Sequence, residues 1–241
     1  MKTKIFSLML LLVAFVGITS CGDDEVGTPA LNRTNITLYV GETATLKYSG
    51  GRCTWTSDNP LVASVEAGVV RGEHVGTTII HANDLTCAVT VKPSYTSVFE
   101  PCMKWGANQS EVQQYMSGYT LYSSTDTQQA YEGKWGVREY LYSFENGGLS
   151  ESLFVTNVSV DLIYYLAERY VVLDSSADNS VVYMATIDLK TGIKLIMANT
   201  EFTVIYAPMS AQSAKAYSPY TLTSSKVVWE KVLGNLSKRQ L

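Results

Sequence analysis

The sequence predicts a small β-sandwich followed by an α+β domain, on three observations. Between residues 31 and 92, short stretches of alternating apolar and polar residues are interrupted by turn signals about every 8–12 residues. From residue 98 onward, two segments with helical spacing of apolar residues are each followed by a series of strand-like runs. That order recurs with a period of about 50 residues, which predicts two helix–four-strand repeats forming one antiparallel sheet with both helices on one face.

The chain opens with Lys2 and Lys4, then an apolar run from Ile5 to Val16, then Ile18-Thr19-Ser20-Cys21. The run is long enough for a signal peptide and well short of the ~20 residues that span a bilayer. Ile18 to Cys21 resembles a bacterial lipobox. The resemblance implies cleavage after residue 20, with diacylglycerol and a fatty acyl group carried covalently on Cys21 and no other cofactor. It also implies an outer-membrane lipoprotein held to the membrane by that anchor. Residues 21–30 are a short polar tether, and its Asp23-Asp24-Glu25 resembles the acidic export tag of surface lipoproteins from gut-dwelling anaerobic Gram-negatives. The tag implies a surface-exposed protein; a plain solvated spacer would leave it facing the periplasm.

Residues 31–92 begin with Ile36, Leu38 and Val40, which alternate with polar residues before Gly41-Glu42 turns the chain. Ala44, Leu46 and Tyr48 alternate again. Trp55 precedes the turn signal Ser57-Asp58-Asn59-Pro60, and Val62, Val65, Val69 and Val70 follow with Gly68 and Gly72 between them. Ile79, Ile80 and Ala82, then Cys87, Val89 and Val91, close the segment. Val40-Gly41-Glu42-Thr43, Trp55 to Pro60, Val62-Ala63-Ser64-Val65, Gly68 to Gly72 and Gly76-Thr77-Thr78-Ile79 together resemble the bacterial Ig-like group 2 domain. The resemblance covers about a quarter of the chain and implies an Ig-like sandwich that serves as a spacer or adhesion module, with no catalytic residues to carry over.

Cys53 stands two residues before Trp55, and Cys87 opens the last presumed strand. Both are placed to face one core, and in an oxidising compartment a disulfide across 34 residues would contribute ~3–4 kcal/mol on the chain-entropy model. Pairing of Cys53 with Cys87 is the expectation, with two buried free thiols as the alternative. Cys102 is then unpaired and reads as a small buried hydrophobe.

Residues 93–97 form the expected linker to a domain spanning 98–241. Ser110 to Gln113 carries a capping-box pattern that predicts a short helix through Met116, with Val112 and Met116 on its buried face. Strand-like runs follow at 119–123, 128–132, 137–144 and 149–155, with Asn146-Gly147-Gly148 as a hairpin turn. Ser159 predicts the start of a second helix over 160–169, with Leu162, Ile163 and Leu166 inward. Strands follow at 170–173, 181–186, 193–197 and 202–206. Tyr131 is the counterpart of Tyr183 in this duplication. Residues 208–223 are loop-like, and Lys226 to Leu236 has helical spacing. Trp105-Gly106 with Ser110-Glu111-Val112 is similar in layout to the helix-then-sheet repeat of the β-lactamase inhibitor protein, a similarity of fold that transfers no function.

Removing residues 1–20 leaves 221 residues and a net charge of about −6, without a basic run. A chain of that balance makes nucleic acid a poor partner. The two histidines, His74 and His81, both lie in the first domain, so the second cannot build a Ser-His-Asp or Cys-His site from its own residues. No CxxC spacing points to zinc, and no metal ligands are assigned. Glu139, Glu145, Glu151 and Glu168 show no pairing that would cleave a glycosidic bond, and each reads as a solvated acid. No catalytic residue is assigned, and the protein is read as a non-enzyme. The chain has 16 Tyr against 6 Phe, most of the tyrosines beyond residue 94. Tyr131, Trp135, Tyr140, Tyr142 and Tyr183 are the expected binding face, since an exposed aromatic sheet recognises glycans or proteins. The reading is a non-catalytic envelope lipoprotein that binds a glycan or protein. The alternatives are an inhibitor-like or assembly protein acting through the open sheet face and, third, a hydrolase acting on carbohydrate.

Overall fold

A computed structural model describes residues 28–198, 200–215 and 225–239. The predicted signal peptide, Cys21 and most of the tether lie outside the described residues. The described chain is β-rich: fifteen strands and four helices occur in the described residues.

The first unit has seven strands: β1 (Asn35–Tyr39), β2 (Thr43–Thr45), β3 (Trp55–Ser57), β4 (Ala63–Glu66), β5 (Val69–Gly72), β6 (Gly76–Ala82) and β7 (Leu85–Lys92). They form a four-stranded sheet in the order β1-β7-β6-β3 and a three-stranded sheet in the order β2-β5-β4. Both sheets contribute to one aliphatic core of Ile36, Leu38, Leu46, Val62, Val70, Ile80, Val89 and Val91. The alternation read in the sequence is visible in β7, where Cys87, Val89 and Val91 are buried and Ala88 is exposed. Trp55 is half-buried and packs against this core across Gly68. Gly68 has φ +83° and a Cβ there would meet Leu46 O at 2.6 Å, so only glycine fits the turn. Asn59 Oδ1 accepts from Leu61 N and Asn59 O accepts from Val62 N, which closes the Asn-Pro turn.

The strand β1 pairs with β7 in parallel. Parallel pairing places the start of β1, where the chain arrives from the tether, at the end of the unit opposite to Lys92, where the chain leaves it.

The second unit opens with α1 (Gln109–Tyr115), capped by Asn108 and not by Ser110. Asn108 Oδ1 accepts from Glu111 N while Glu111 Oε2 accepts from Asn108 N, a capping box two residues earlier than expected. Four strands follow: β8 (Leu121–Ser124), β9 (Gln128–Glu132), β10 (Val137–Glu145) and β11 (Gly148–Asn157). Asn146 and Gly147 both have positive φ between β10 and β11, the backbone of a two-residue hairpin loop. Then come α2 (Val160–Arg169) and four more strands, β12 (Tyr170–Ser175), β13 (Val181–Thr186), β14 (Thr191–Met197) and β15 (Glu201–Pro208). The eight strands form one antiparallel sheet in the order β12-β13-β14-β15-β11-β10-β9-β8. The last strand of each series, β11 and β15, meets its counterpart at the centre. A short α3 (Ala211–Lys215) and a terminal α4 (Ser225–Arg239) complete the described chain. Ser225 is the first residue of α4, and Ser224 lies outside the described residues. No helix among the described residues is long and apolar enough to cross a membrane.

The two units are clamped together through α2. Glu168, expected as a solvated acid, is buried, because its carboxylate accepts from Ser94 N and Tyr95 N in the linker at 3.0–3.1 Å. Glu168 O also accepts from Val75 N at 2.8 Å. Tyr95 stacks on Tyr164 at 4.9 Å between ring centroids. The linker is therefore held by backbone hydrogen bonds to a charged group, which are stronger than bonds to a neutral one.

Candidate functional site

Strand pairing sorts the side chains of the eight-stranded sheet onto two faces, because paired residues share a face. Tyr131, Tyr140, Phe154, Val204, Leu195 and Val182 form one continuous row across six strands. All are buried, in one core with Val112 and Met116 of α1, Leu162, Ile163 and Leu166 of α2, and Trp229, Val232 and Leu236 of α4. The three helices therefore cover this face.

Three of the five residues expected on the binding face belong to that core. Tyr131 is 2% exposed and Tyr140 and Tyr142 are wholly buried. Their hydroxyls are the reason tyrosine outnumbers phenylalanine here. Tyr140 Oη donates to Phe99 O at 2.9 Å, Tyr115 Oη to Glu100 O at 2.8 Å, and Tyr170 Oη to the Glu100 carboxylate. Cys102 N donates to Tyr142 Oη at 3.4 Å, and Ser152 Oγ donates to Cys102 O at 2.6 Å. The extended segment 99–102 thus lies on the covered face like a strap, its polar groups satisfied by the Tyr140, Tyr142 and Tyr170 phenols and the Ser152 hydroxyl from the sheet and by the Tyr115 phenol from α1. Burial pushes the Tyr115 and Tyr131 hydroxyls up to about 12 and raises those of Tyr140 and Tyr142, so these phenols stay protonated and structural. The expected correspondence of Tyr131 with Tyr183 also fails: Tyr131 faces the helices and Tyr183 the opposite side, one residue out of step.

The other two expected residues are accessible but far apart. Trp135 is 75% exposed at the β9–β10 turn, with φ +52°. Tyr183, 42% exposed, stands on the face that carries no long helix. The row through it runs Ala130, Leu141, Leu153, Ile205, Lys194, Tyr183 and Asp174 across seven strands. Its centre is apolar and half-buried, and its end carries a base, a ring and an acid side by side.

At that end the face is concave. A depression of about 780 Å³ is bounded by Leu173, Asp174, Tyr183, Lys194 and Ile205 on the sheet side and by the Met209–Ser213 segment opposite. A bulge in β12 makes Leu173 the extra residue between Val172, opposite Met184, and Asp174, opposite Tyr183. The bulge brings both Leu173 and Asp174 to the depression. Strand alternation points to Tyr183, Lys194 and Ile205 once the covered face is known; the bulge has no signal in the sequence.

The thiols are free. Cys53 is half-buried, and Cys87 and Cys102 are buried. The expected Cys53–Cys87 bridge is not formed, because β6 lies between β3 and β7. Two strand spacings alone separate the positions by roughly 10 Å, beyond the ~7 Å limit between Cα atoms of a disulfide. Burial raises the Cys87 and Cys102 thiols and keeps them protonated.

Glu139 accepts from Tyr122 Oη at 2.6 Å, and His81 Nε2 lies 2.8 Å from Asp58 Oδ1. No group of three or more His, Cys, Asp or Glu suited to a metal ion occurs among the described residues. No protein-family model matches the chain, and no curated protein is similar enough to it to count as a relative.

Proposed function

We propose that the protein is a non-catalytic, lipid-anchored envelope protein that binds a glycan or another protein through the open face of its eight-stranded sheet. Cys21 carries the diacylglycerol and fatty acyl anchor, residues 31–92 act as an Ig-like spacer, and the unit beyond residue 98 is an internally duplicated binding domain. The observation that carries the reading is the one-sided distribution of helices. Three of them pack on a single face, which leaves the other with a half-buried apolar row and an open depression.

Two further features support it. The parallel β1–β7 pair makes the first unit a through-passage from tether to second unit, as a spacer requires. The strand order β12-β13-β14-β15-β11-β10-β9-β8 reverses about its centre, and helix-then-four-strands occurs on each side, as expected of a duplication. The apolar centre at Leu141, Leu153 and Ile205 favours, as a second reading, an inhibitor-like protein that docks on a partner protein.

The anchor is tested by Cys21→Ala. The variant should accumulate as precursor or soluble protein and leave the detergent phase on partitioning; retention with membranes after loss of the signal peptide refutes it. The binding reading is tested by Leu141→Asp, which places a charge on the open face. It should abolish retention of the ligand on immobilised protein while leaving the circular dichroism spectrum unchanged.

A further inference from the structure

We infer that the depression beside Tyr183 is a saccharide site that takes a neutral, polyhydroxylated ring, with Tyr183 as its stacking platform and Asp174 and Lys194 as its polar arms. The inference rests on the binding role proposed above and narrows it to one ligand class.

The shape of the site comes from two small residues. Gly192 and Ala207 are paired neighbours on β14 and β15, next to the row of Tyr183, Lys194 and Ile205, and both line the depression. Glycine in the interior of a strand weakens it and needs a reason. Neighbour packing does not supply one at Gly192. A Cβ built there has Met209 Cε at 3.7 Å and Ala207 O at 3.9 Å as its nearest contacts, which is ordinary spacing. Its φ is not among the left-handed values found at other glycines of the chain. What Gly192 does is keep the floor of the depression low. The β12 bulge at Leu173 is the second departure from regular sheet at the same place, and bulges re-aim side chains toward sites.

The lining then selects the ligand. Tyr183 is 42% exposed in the depression, and Leu173 and Ile205 add apolar surface to the same lining. Lys194 Nζ lies over the Tyr183 ring, 5.8 Å from its centroid and near the outer limit of a cation–π contact, so a sugar stacking on that side displaces only a weak contact. Asp174 is paired with Tyr183 on its other side. An aliphatic ligand would bury Asp174 and Lys194 without partners, at a cost. An ionic ligand would meet one charge of each sign and gain little from the pair. A pyranose satisfies every element: its C–H face lies on the ring, and its hydroxyls donate to Asp174 and accept from Lys194. The volume of about 780 Å³ is within the range of ligand pockets and leaves room for more than one ring.

The test is isothermal titration of the mature chain with maltotriose, cellotriose and chitotriose, alongside trigalacturonate as a charged counterpart. At least one neutral trisaccharide should bind with a Kd of about 1 mM or tighter. Tyr183→Ala should weaken it at least tenfold, and so should Gly192→Val, which fills the floor with a residue that strands accommodate. Asp174→Asn should weaken it severalfold. Val69→Asp, at an exposed position of the first unit, should leave saccharide binding unchanged, and all variants should keep the melting temperature within a few degrees. Three results overturn the inference: no neutral trisaccharide saturating, tighter binding of trigalacturonate, or neutral binding indifferent to both Tyr183→Ala and Gly192→Val. If saccharides fail while a protein ligand is bound and lost on Leu141→Asp, the open face keeps its binding role and only the ligand class falls. If neither binds, both readings fall.

Discussion

The unit at 31–92 fills its core with Ile36, Leu38, Leu46, Val70, Ile80, Val89 and Val91, whereas the unit beyond residue 98 fills its own with Tyr131, Tyr140, Tyr142, Tyr165, Tyr170 and Tyr206 around Phe154 and Phe202. The first arrangement is aliphatic apart from the Cys87 thiol and depends mainly on shape. The second brings a phenol with every tyrosine, and most of these phenols find a partner, Tyr165 Oη being an exception. The strap at 99–102 supplies several of them. The larger core thus has polar specificity that the smaller one lacks, and the two should respond differently to substitutions of similar size.

The largest effect is expected from Tyr140→Ala, which empties the centre of the aromatic core. It should cost about 3–5 kcal/mol in urea denaturation. Tyr140→Phe sharpens the contrast, since it removes one oxygen and leaves the volume. It should still cost about 1–3 kcal/mol, because Phe99 O loses its donor. Ile80→Val in the aliphatic core should cost about 0.5–1.5 kcal/mol by loss of a methyl group alone. If Tyr140→Phe is neutral, the strap is incidental and the contrast between the cores disappears.

Breaking the clamp should separate the two units. Glu168→Ala removes the acceptor for Ser94 N and Tyr95 N, at about 1–3 kcal/mol. A single unfolding transition should become two, the first belonging to residues 31–92; a single unchanged transition would mean the apolar contacts of Leu61 and Ile187 suffice. A smaller loss, about 1 kcal/mol, is expected from Asn108→Ala, confined to the second unit and measured as a lower midpoint without change of slope. Ser110→Ala should be neutral, since Ser110 is not the cap.

The smallest effect separates the units by pH. Burial lowers the pKa of His74 below 6.5, against the smaller opposing effects of its hydrogen bond to Leu61 O and of the charge of Glu73. The unfolded chain then takes up the proton first as pH falls, so stability of the first unit decreases from about pH 6.5 downward to the folded pKa. In the second unit the Asp178 carboxylate accepts from Ser176 and Ser180 and is held down at about 2. Its contribution is present above the ordinary carboxylate value of 3.8 and is lost as pH falls toward 2. In the Glu168→Ala variant, whose units unfold separately, the melting temperature of the first unit should fall between pH 7 and pH 5 and that of the second should hold. His74→Gln should flatten the first curve; a parallel decline of both units would refute the assignment.

Much of the β-rich architecture was legible because strands and helices advertise themselves over a few residues. The run 128–132 is a strand with those bounds, and Val160–Arg169 is a helix with those bounds. The capping error at α1 has a local cause: Asn108-x-x-Glu111 and Ser110-x-x-Gln113 both carry the pattern, and only the tertiary position of Val112 and Met116 decides between two caps two residues apart. The candidate site was less legible. Of five residues expected to bind, three turned inward, and Asp174, Lys194, Ile205 and Gly192 went unnoticed.

By itself the sequence determined the β-rich character, the helix over 160–169 and that residues two apart on a strand share a face; it missed the short α3 at Ala211–Lys215, inside a stretch read as loop, because one turn of helix carries too little periodicity to show. Only the tertiary structure decided which of the two faces the helices cover. The alternation of Tyr140, Tyr142 and Phe144 against Leu141 and Ser143 reads equally well in either sense until α1, α2 and α4 land on one side. The same holds for the cysteines. Cys87 belongs to β7 and Cys53 lies two residues before β3, but the insertion of β6 between those strands is a contact between residues distant in sequence. Short-range pattern is set by neighbours along the chain, while faces, bulges and strand order are set by partners that the chain meets only when it folds.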